Sequence, residues 1–203
     1  GIIQEGNWTK EGSYLRQVIQ QHSMDKIIDR GRVWRLVHDS LKPEPSPKLL
    51  EATPARLVET LAFPNGSHRD TAQKLLVLRG EKSVAPALIA MAKDHAEPLA
   101  RIHALWTLEG IGALTVDQVR QAMKDKDPAV RQTAIRASET LLLAGDTTLI
   151  ADIKALTTDP DPSVAIQAML TARQMKWKDA SQFINTTALT NPSKGVKVMA
   201  SQI

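Results

Sequence analysis

The sequence predicts an all-α fold, a right-handed α-α superhelix of four to five stacked helix pairs, behind a short helix and strand that belong to a different unit. Three observations lead there. Proline-marked turns recur at Pro64, Pro98, Pro128, Pro162 and Pro192, in steps of 34, 30, 34 and 30 residues, and a period in that range marks a helical repeat array. Each turn opens onto apolar positions at helical spacing, clearest in Val130, Ala134, Ala137 and Leu141. The chain is 42% hydrophobic but only 3% aromatic, so its core is built from aliphatic and small side chains that suit helices packed closely in layers.

Residues 1–42 differ from the rest. Ser13 is placed to cap a short helix carrying Tyr14, Leu15, Val18 and Ile19 and ending near His22. Arg32-Val33-Trp34-Arg35-Leu36-Val37 alternates polar and apolar residues, a strand pattern. A lone strand leaves its backbone groups unpaired, so its sheet should lie upstream. Residues 43–47, Pro43-Glu44-Pro45-Ser46-Pro47, read as a stiff linker and a domain boundary.

From residue 48 to residue 203 the pattern is helix–turn–helix. Thr53 caps a helix with Pro54 at its first position, where the missing N–H costs nothing, and its partner runs from Ser67 to Leu78 and stops at Gly80. Then come Ser83–Lys93 with Pro98–Gly110, Thr115–Met123 with Pro128–Leu143, and Thr147–Leu156 with Pro162–Met175. A fifth pair begins at Ala180–Leu189. One pair cannot bury its apolar face alone, whereas stacked pairs share a continuous core. The Asp-Pro turns punctuate the array, Asp capping the helix and Pro pre-setting its first turn. Arg101 and Arg131 are placed to reach an acidic group of a neighbouring repeat and ladder the stack.

Composition narrows the function. The 26 basic and 22 acidic residues give a net charge of +4 with both signs interspersed, weak support for a nucleic-acid partner. The absence of cysteine excludes disulfides, thiol nucleophiles, zinc fingers and covalent haem attachment within these residues. No apolar run reaches the ~20 residues needed to span a bilayer, so no membrane insertion is expected. The chain starts at Gly1 and ends inside an expected repeat helix, and reads as a piece of a longer protein.

Asp127-Pro128-Ala129-Val130-Arg131, followed by Ala134, resembles the HEAT-repeat pattern. Two segments, His68-Arg69-Asp70-Thr71-Ala72-Gln73-Lys74-Leu75-Leu76 and Ala100-Arg101-Ile102-His103-Ala104-Leu105-Trp106-Thr107-Leu108-Glu109-Gly110-Ile111-Gly112, are similar to the repeat region of large bacterial secreted proteins called membrane-bound dehydrogenases. In that family a sorbosone-dehydrogenase-like β-propeller precedes HEAT repeats and commonly a c-type cytochrome domain. Gly1-Ile2-Ile3-Gln4, Tyr14-Leu15-Arg16 and Asp29-Arg30-Gly31-Arg32-Val33-Trp34-Arg35-Leu36 resemble the end of its propeller. The resemblance implies a redox parent, periplasmic or secreted, whose quinone, calcium and haem residues lie outside these residues. It transfers no catalytic residue, and no cofactor is expected here.

Candidate sites are few. His22, His38, His68, His95 and His103 form no metal-ligand motif, and packing or hydrogen bonding is the expected role, with His68 and His103 possible neighbours on adjacent second helices. Asp125, Asp127, Asp159 and Asp161 fall in turns expected to be open to solvent, where capping explains them and pKa values stay ordinary. No Gly-x-Ser-x-Gly turn or phosphate loop is present, and Gly110-Ile111-Gly112 reads as a helix stop. Trp106 either presents a stacking face or fills the core, and apolar Ile102 and Leu108 favour the core. Arg69, Asp70, Arg101, His103, Glu109 and Arg131 lie on or beside second helices, which in solenoids often line the binding face, and form the candidate interaction surface unless they are ladder residues. The expected function is a non-catalytic scaffold that connects neighbouring domains, a β-propeller upstream and a cytochrome c-like domain downstream, or docks a protein partner. The alternative is a nucleic-acid module, which needs a basic stripe such as Arg69, Arg101, Arg131 and Arg173, interrupted here by Asp70, Glu109 and Glu139.

Overall fold

A computed structural model of the chain describes residues 10–24, 26, 40 and 47–203. The chain divides into two compact units, Gly1–Ser46 and Pro47–Ile203. In the first, helix α1 (Tyr14–Gln21) starts where Ser13 Oγ accepts from Arg16 N at 3.2 Å, and buries Ile19. The strand expected at residues 32–37 and most of the proline-rich segment lie outside the described residues.

The second unit is an α-α solenoid. Its helices pair as α2 (Pro54–Thr60) with α3 (Gly66–Arg79), α4 (Ala85–Asp94) with α5 (Pro98–Gly110), and α6 (Val116–Ala122) with α7 (Pro128–Leu143). Then come α8 (Ile150–Ala155) with α9 (Pro162–Gln174), and α10 (Ala180–Thr190) with α11 (Lys194–Gln202). The second helices form one layer, with α3 on α5, α5 on α7, α7 on α9 and α9 on α11. No strand occurs among the described residues.

Local chemistry sets the boundaries. Thr53, Asn65, Thr115, Asp127 and Asp161 each cap a helix through a side-chain oxygen, and Thr115 closes a full capping box with Gln118. Gly80 (φ +63°) and Gly112 (φ +66°) follow α3 and α5 in the left-handed conformation that ends helices. Helix α8 begins later than its apolar pattern predicts, because Asp146 Oδ1 accepts from both the N–H (3.0 Å) and the hydroxyl (2.6 Å) of Thr148 and holds that segment in a turn.

The repeat register differs from the proline spacing. The second helices start at Gly66, Pro98, Pro128, Pro162 and Lys194, in steps of 32, 30, 34 and 32 residues. Pro98, Pro128 and Pro162 occupy the first helical position, whereas Pro64 and Pro192 sit two residues ahead of it. In this register the seventh helical position is alanine every time, at Ala72, Ala104, Ala134, Ala168 and Ala200. The first four are fully buried, and a side chain this small lets neighbouring second helices approach closely. Leu57, Leu76, Leu88, Leu105, Leu108, Ile135, Leu149 and Ile153 fill the core around them. A smaller cluster of Ala165, Met169, Ile184 and Val196 follows at the last pair.

Candidate functional site: the ladder between repeats

The fourth position of the second helices α3, α5 and α7 carries the site. At α5 it is Arg101, only 2% exposed. Its Nη1 donates to His95 O at 2.6 Å and Ala96 O at 3.1 Å in the turn before its own helix. Its Nε and Nη2 donate to Asp125 Oδ2 and Oδ1, each at 2.8 Å, in the turn of the next repeat. At α7 the pattern repeats. Arg131 Nη1 donates to Asp125 O at 2.7 Å and Lys126 O at 3.1 Å, while Nε and Nη2 donate to Asp159 Oδ2 at 2.7 Å and Oδ1 at 2.6 Å. Only a planar guanidinium serves two carbonyls and both carboxylate oxygens at once. The carboxylates are fixed in turn, since Asp125 Oδ1 accepts from Asp127 N at 2.8 Å and Asp159 Oδ1 from Asp161 N at 2.9 Å. The Asp159 hydrogen bonds come first among the causes that hold the Arg131 guanidinium above its ordinary pKa.

This geometry corrects the view of the acidic turns as open to solvent. The Asp125 and Asp159 side chains are largely shielded from solvent and held by arginine. Asp127 and Asp161 are the capping members, and Asp161 is held below the usual carboxylate range first by its hydrogen bonds from Ser163. Both expected ladder rungs are present, and they withdraw Arg101 and Arg131 from any binding surface.

The first junction is built differently. The residue in register with Asp125 and Asp159 is His95, which supplies no carboxylate. Arg69 keeps its two turn carbonyls, Phe63 O at 2.7 Å and Pro64 O at 2.8 Å, and points Nε at His103 Nε2 at 3.3 Å. That nitrogen therefore carries the lone pair, and Nδ1–H donates to Gln73 Oε1 at 2.7 Å. Burial, then the neighbouring Arg69 charge, hold the His103 imidazolium below its ordinary pKa, against a smaller opposite pull from Asp70. Asp70 itself is exposed, 4.0 Å from His103 Nε2. His68 instead stacks on Phe63, with ring centroids 5.2 Å apart.

Glu109 takes no arginine. It accepts from the Thr140 hydroxyl of α7 at 2.6 Å, and one pair further on buried Glu139 accepts from Thr171 at 2.6 Å while also pairing with Arg136. These threonine–glutamate ties went unread in the sequence, where their only trace is the glutamate shared by the twelfth helical positions of α5 and α7. Trp106 packs against the core, as its apolar neighbours predict. The basic stripe of the nucleic-acid alternative does not form, because two of its four arginines are the buried rungs and Arg69 is spent on carbonyls and His103. Among the described residues no group of three or more acidic or histidine side chains is arranged to hold a metal ion, and no helix is long and apolar enough to cross a membrane.

Stacked helix pairs tied by such rungs define a repeat solenoid, a class that generally serves as a scaffold or interaction surface and not as a catalyst. Residues 85–169, which hold both complete rungs, match the model of the HEAT-repeat family. No curated protein matches the chain.

Proposed function

We propose that the solenoid is a non-catalytic connecting and docking array within a larger periplasmic or secreted oxidoreductase. In that reading it holds a propeller-type dehydrogenase domain and a c-type cytochrome domain in fixed relation and carries no cofactor of its own. The observation that supports it most is the pair of buried rungs, Arg101–Asp125 and Arg131–Asp159, each bridging one turn to the next. They make repeat orientation a property of specific hydrogen bonds, as a spacer between two redox centres requires. The resemblance of residues 68–76 and 100–112 to the repeat region of membrane-bound dehydrogenases supplies the redox context.

The test is the longer protein encoded around this segment, purified and recorded in the visible range with and without reductant. A haem spectrum in the long form supports the reading, and slower interdomain electron transfer when the repeats are shortened by one pair strengthens it. A long form that encodes no propeller and binds no haem, or electron transfer indifferent to the repeat number, overturns it.

A further inference from the structure

The ladder stops one junction before the array does. The fourth position of α9, in register with Arg101 and Arg131, is Ala165, and the residue in register with Asp125 and Asp159 is Asn191. The acceptors that hold a guanidinium at the two preceding junctions have direct counterparts here. Asp159 O and Pro160 O replace the pair of turn carbonyls, and Asn191 Oδ1 replaces the carboxylate. All three residues line one cavity of about 240 Å³, together with Thr157, Thr190 and Ser193. No hydrogen bond from the described residues reaches Asp159 O or Pro160 O. Asn191 is buried and oriented, its Nδ2 donating to Thr157 O at 3.0 Å and its Oδ1 accepting from Ser193 N at 2.9 Å, which leaves that oxygen a second lone pair. The cavity is smaller than the ~300–1,000 Å³ of drug-sized pockets, a size that suits one side chain.

We propose that this cavity is an arginine socket, receiving the guanidinium of an arginine side chain carried by a partner protein, with Asp159 O, Pro160 O and Asn191 Oδ1 as its acceptors. The partner's arginine takes the place that Arg101 and Arg131 fill from within at the neighbouring junctions. Lysine is a poor substitute, because an ammonium is a compact point charge that does not present a planar fork to several fixed acceptors. The socket rests on the docking role proposed above only for the source of the arginine.

The experiment uses the full chain, ¹⁵N-labelled, titrated with N-acetylarginine methylamide, N-acetyllysine methylamide and free arginine, reading the Asn191 side-chain amide and the Ser193 and Asp161 N–H signals. Blocked arginine is expected to shift these signals, with blocked lysine weaker by about tenfold or more. Equal response to lysine, or no response to blocked arginine, overturns the socket. A response to free arginine alone overturns the partner as its source. Two variants extend the test. Ala165→Arg supplies the guanidinium from within, so it should raise the denaturation midpoint and abolish the response. Should packing against Met169, Ile184 and Val196 prevent that variant from folding, Asn191→Asp restores the carboxylate of the other rungs and should tighten blocked arginine by about tenfold, since charge-assisted hydrogen bonds are roughly twice as strong as neutral ones. Weaker binding in Asn191→Asp overturns the proposal. Failure of the haem experiment leaves these signals unaffected, so the two readings fail separately.

Discussion

Removing the carboxylate of one rung should reveal how much of the array's cohesion is ionic. In Asp125→Ala, the Arg101 guanidinium stays buried with its bonds to His95 O and Ala96 O but loses two charge-assisted partners, and the Asp127 N–H loses its acceptor. Breaking a buried pair by deleting one partner costs about 3–5 kcal/mol. The lower end applies, because two carbonyl bonds survive and the Asp125 side chain is 10% exposed, so the expected loss is about 3 kcal/mol. In a chain of this size that corresponds to roughly 6–12 °C in midpoint. Urea unfolding followed by far-ultraviolet circular dichroism measures it. A junction weakened this far should also broaden or split the transition, since each repeat contacts only its neighbours. The double variant Arg101→Met/Asp125→Ala should lose less than the two single losses added together, because it leaves no orphaned charge. The comparison is Asp152→Ala at the half-exposed Arg120–Asp152 pair between α6 and α8, where no comparable change is expected. If Asp125→Ala and Asp152→Ala prove indistinguishable, or the Arg101/Asp125 losses are additive, the buried rung is not what holds the repeats.

Three further outcomes follow from the packing. His103 is neutral in the folded chain with its pKa lowered, so its contribution to stability is complete above the unfolded histidine pKa and is lost as pH falls through the folded value. The charged residues of α4 and α7, which also pack on α5, are already paired as Lys93–Asp94, Arg131–Asp159 and Arg136–Glu139, so unfolding at pH 7.5 and 5 should show an acid-labile α2/α3 pair in the wild type and a smaller pH effect in His103→Gln. Ala134→Leu forces a larger side chain into a fully buried position between second helices and should cost about 1–3 kcal/mol by overpacking, read as a lowered urea midpoint. At Gly110 a Cβ would stand 2.6 Å from Val77 Cγ2, so Gly110→Ala should destabilise despite its better helix propensity, and Val77→Ala added to it should recover part of the loss; unchanged stability in the single variant would remove Gly110 as the point of close approach between α3 and α5.

The helix pairs were legible because their cause is local. Apolar spacing, Asp or Thr caps and proline at the first helical position act within one turn of chain, and they locate α5, α7 and α9 closely. The register was less legible, because proline marks it only where it occupies that first position. Pro64 and Pro192 fall two residues early, and the alanine at the seventh position of every second helix is the better marker, since close helix approach requires it at each repeat. The rungs were half legible. An arginine four positions into α3, α5 and α7 is visible, but burial of its aspartate partner depends on how the next turn folds over it, which no single repeat specifies. The Thr140–Glu109 and Thr171–Glu139 ties left almost no signal, because an exposed-looking glutamate pattern is the same whether a hydroxyl or water meets it.

The paired change at the last junction is the strongest internal argument that the two halves of a rung depend on each other. An aspartate at position 191 facing Ala165 would be a carboxylate without a cation from its own chain, an arrangement that costs more than a neutral amide in the same place until a guanidinium enters. The chain instead carries asparagine there, which keeps the turn bond to Ser193 N and spends its amide on Thr157 O. At the first junction His95 likewise replaces the carboxylate, with its Nδ1 accepting from Glu97 N at 3.1 Å, and Arg69 turns to a neutral imidazole. Charge is therefore removed from both partners at α9/α11 and redirected at α3/α5, while the two central junctions keep complete ion pairs. The consequence is an array whose two central junctions carry arginine–aspartate rungs, while the first sets an arginine on carbonyls and an imidazole and the last is tied by Lys154–Asp179 instead. Its two ends are the places where protonation, as at His103, or an incoming cation, as at Asn191, can change how one repeat is held against the next.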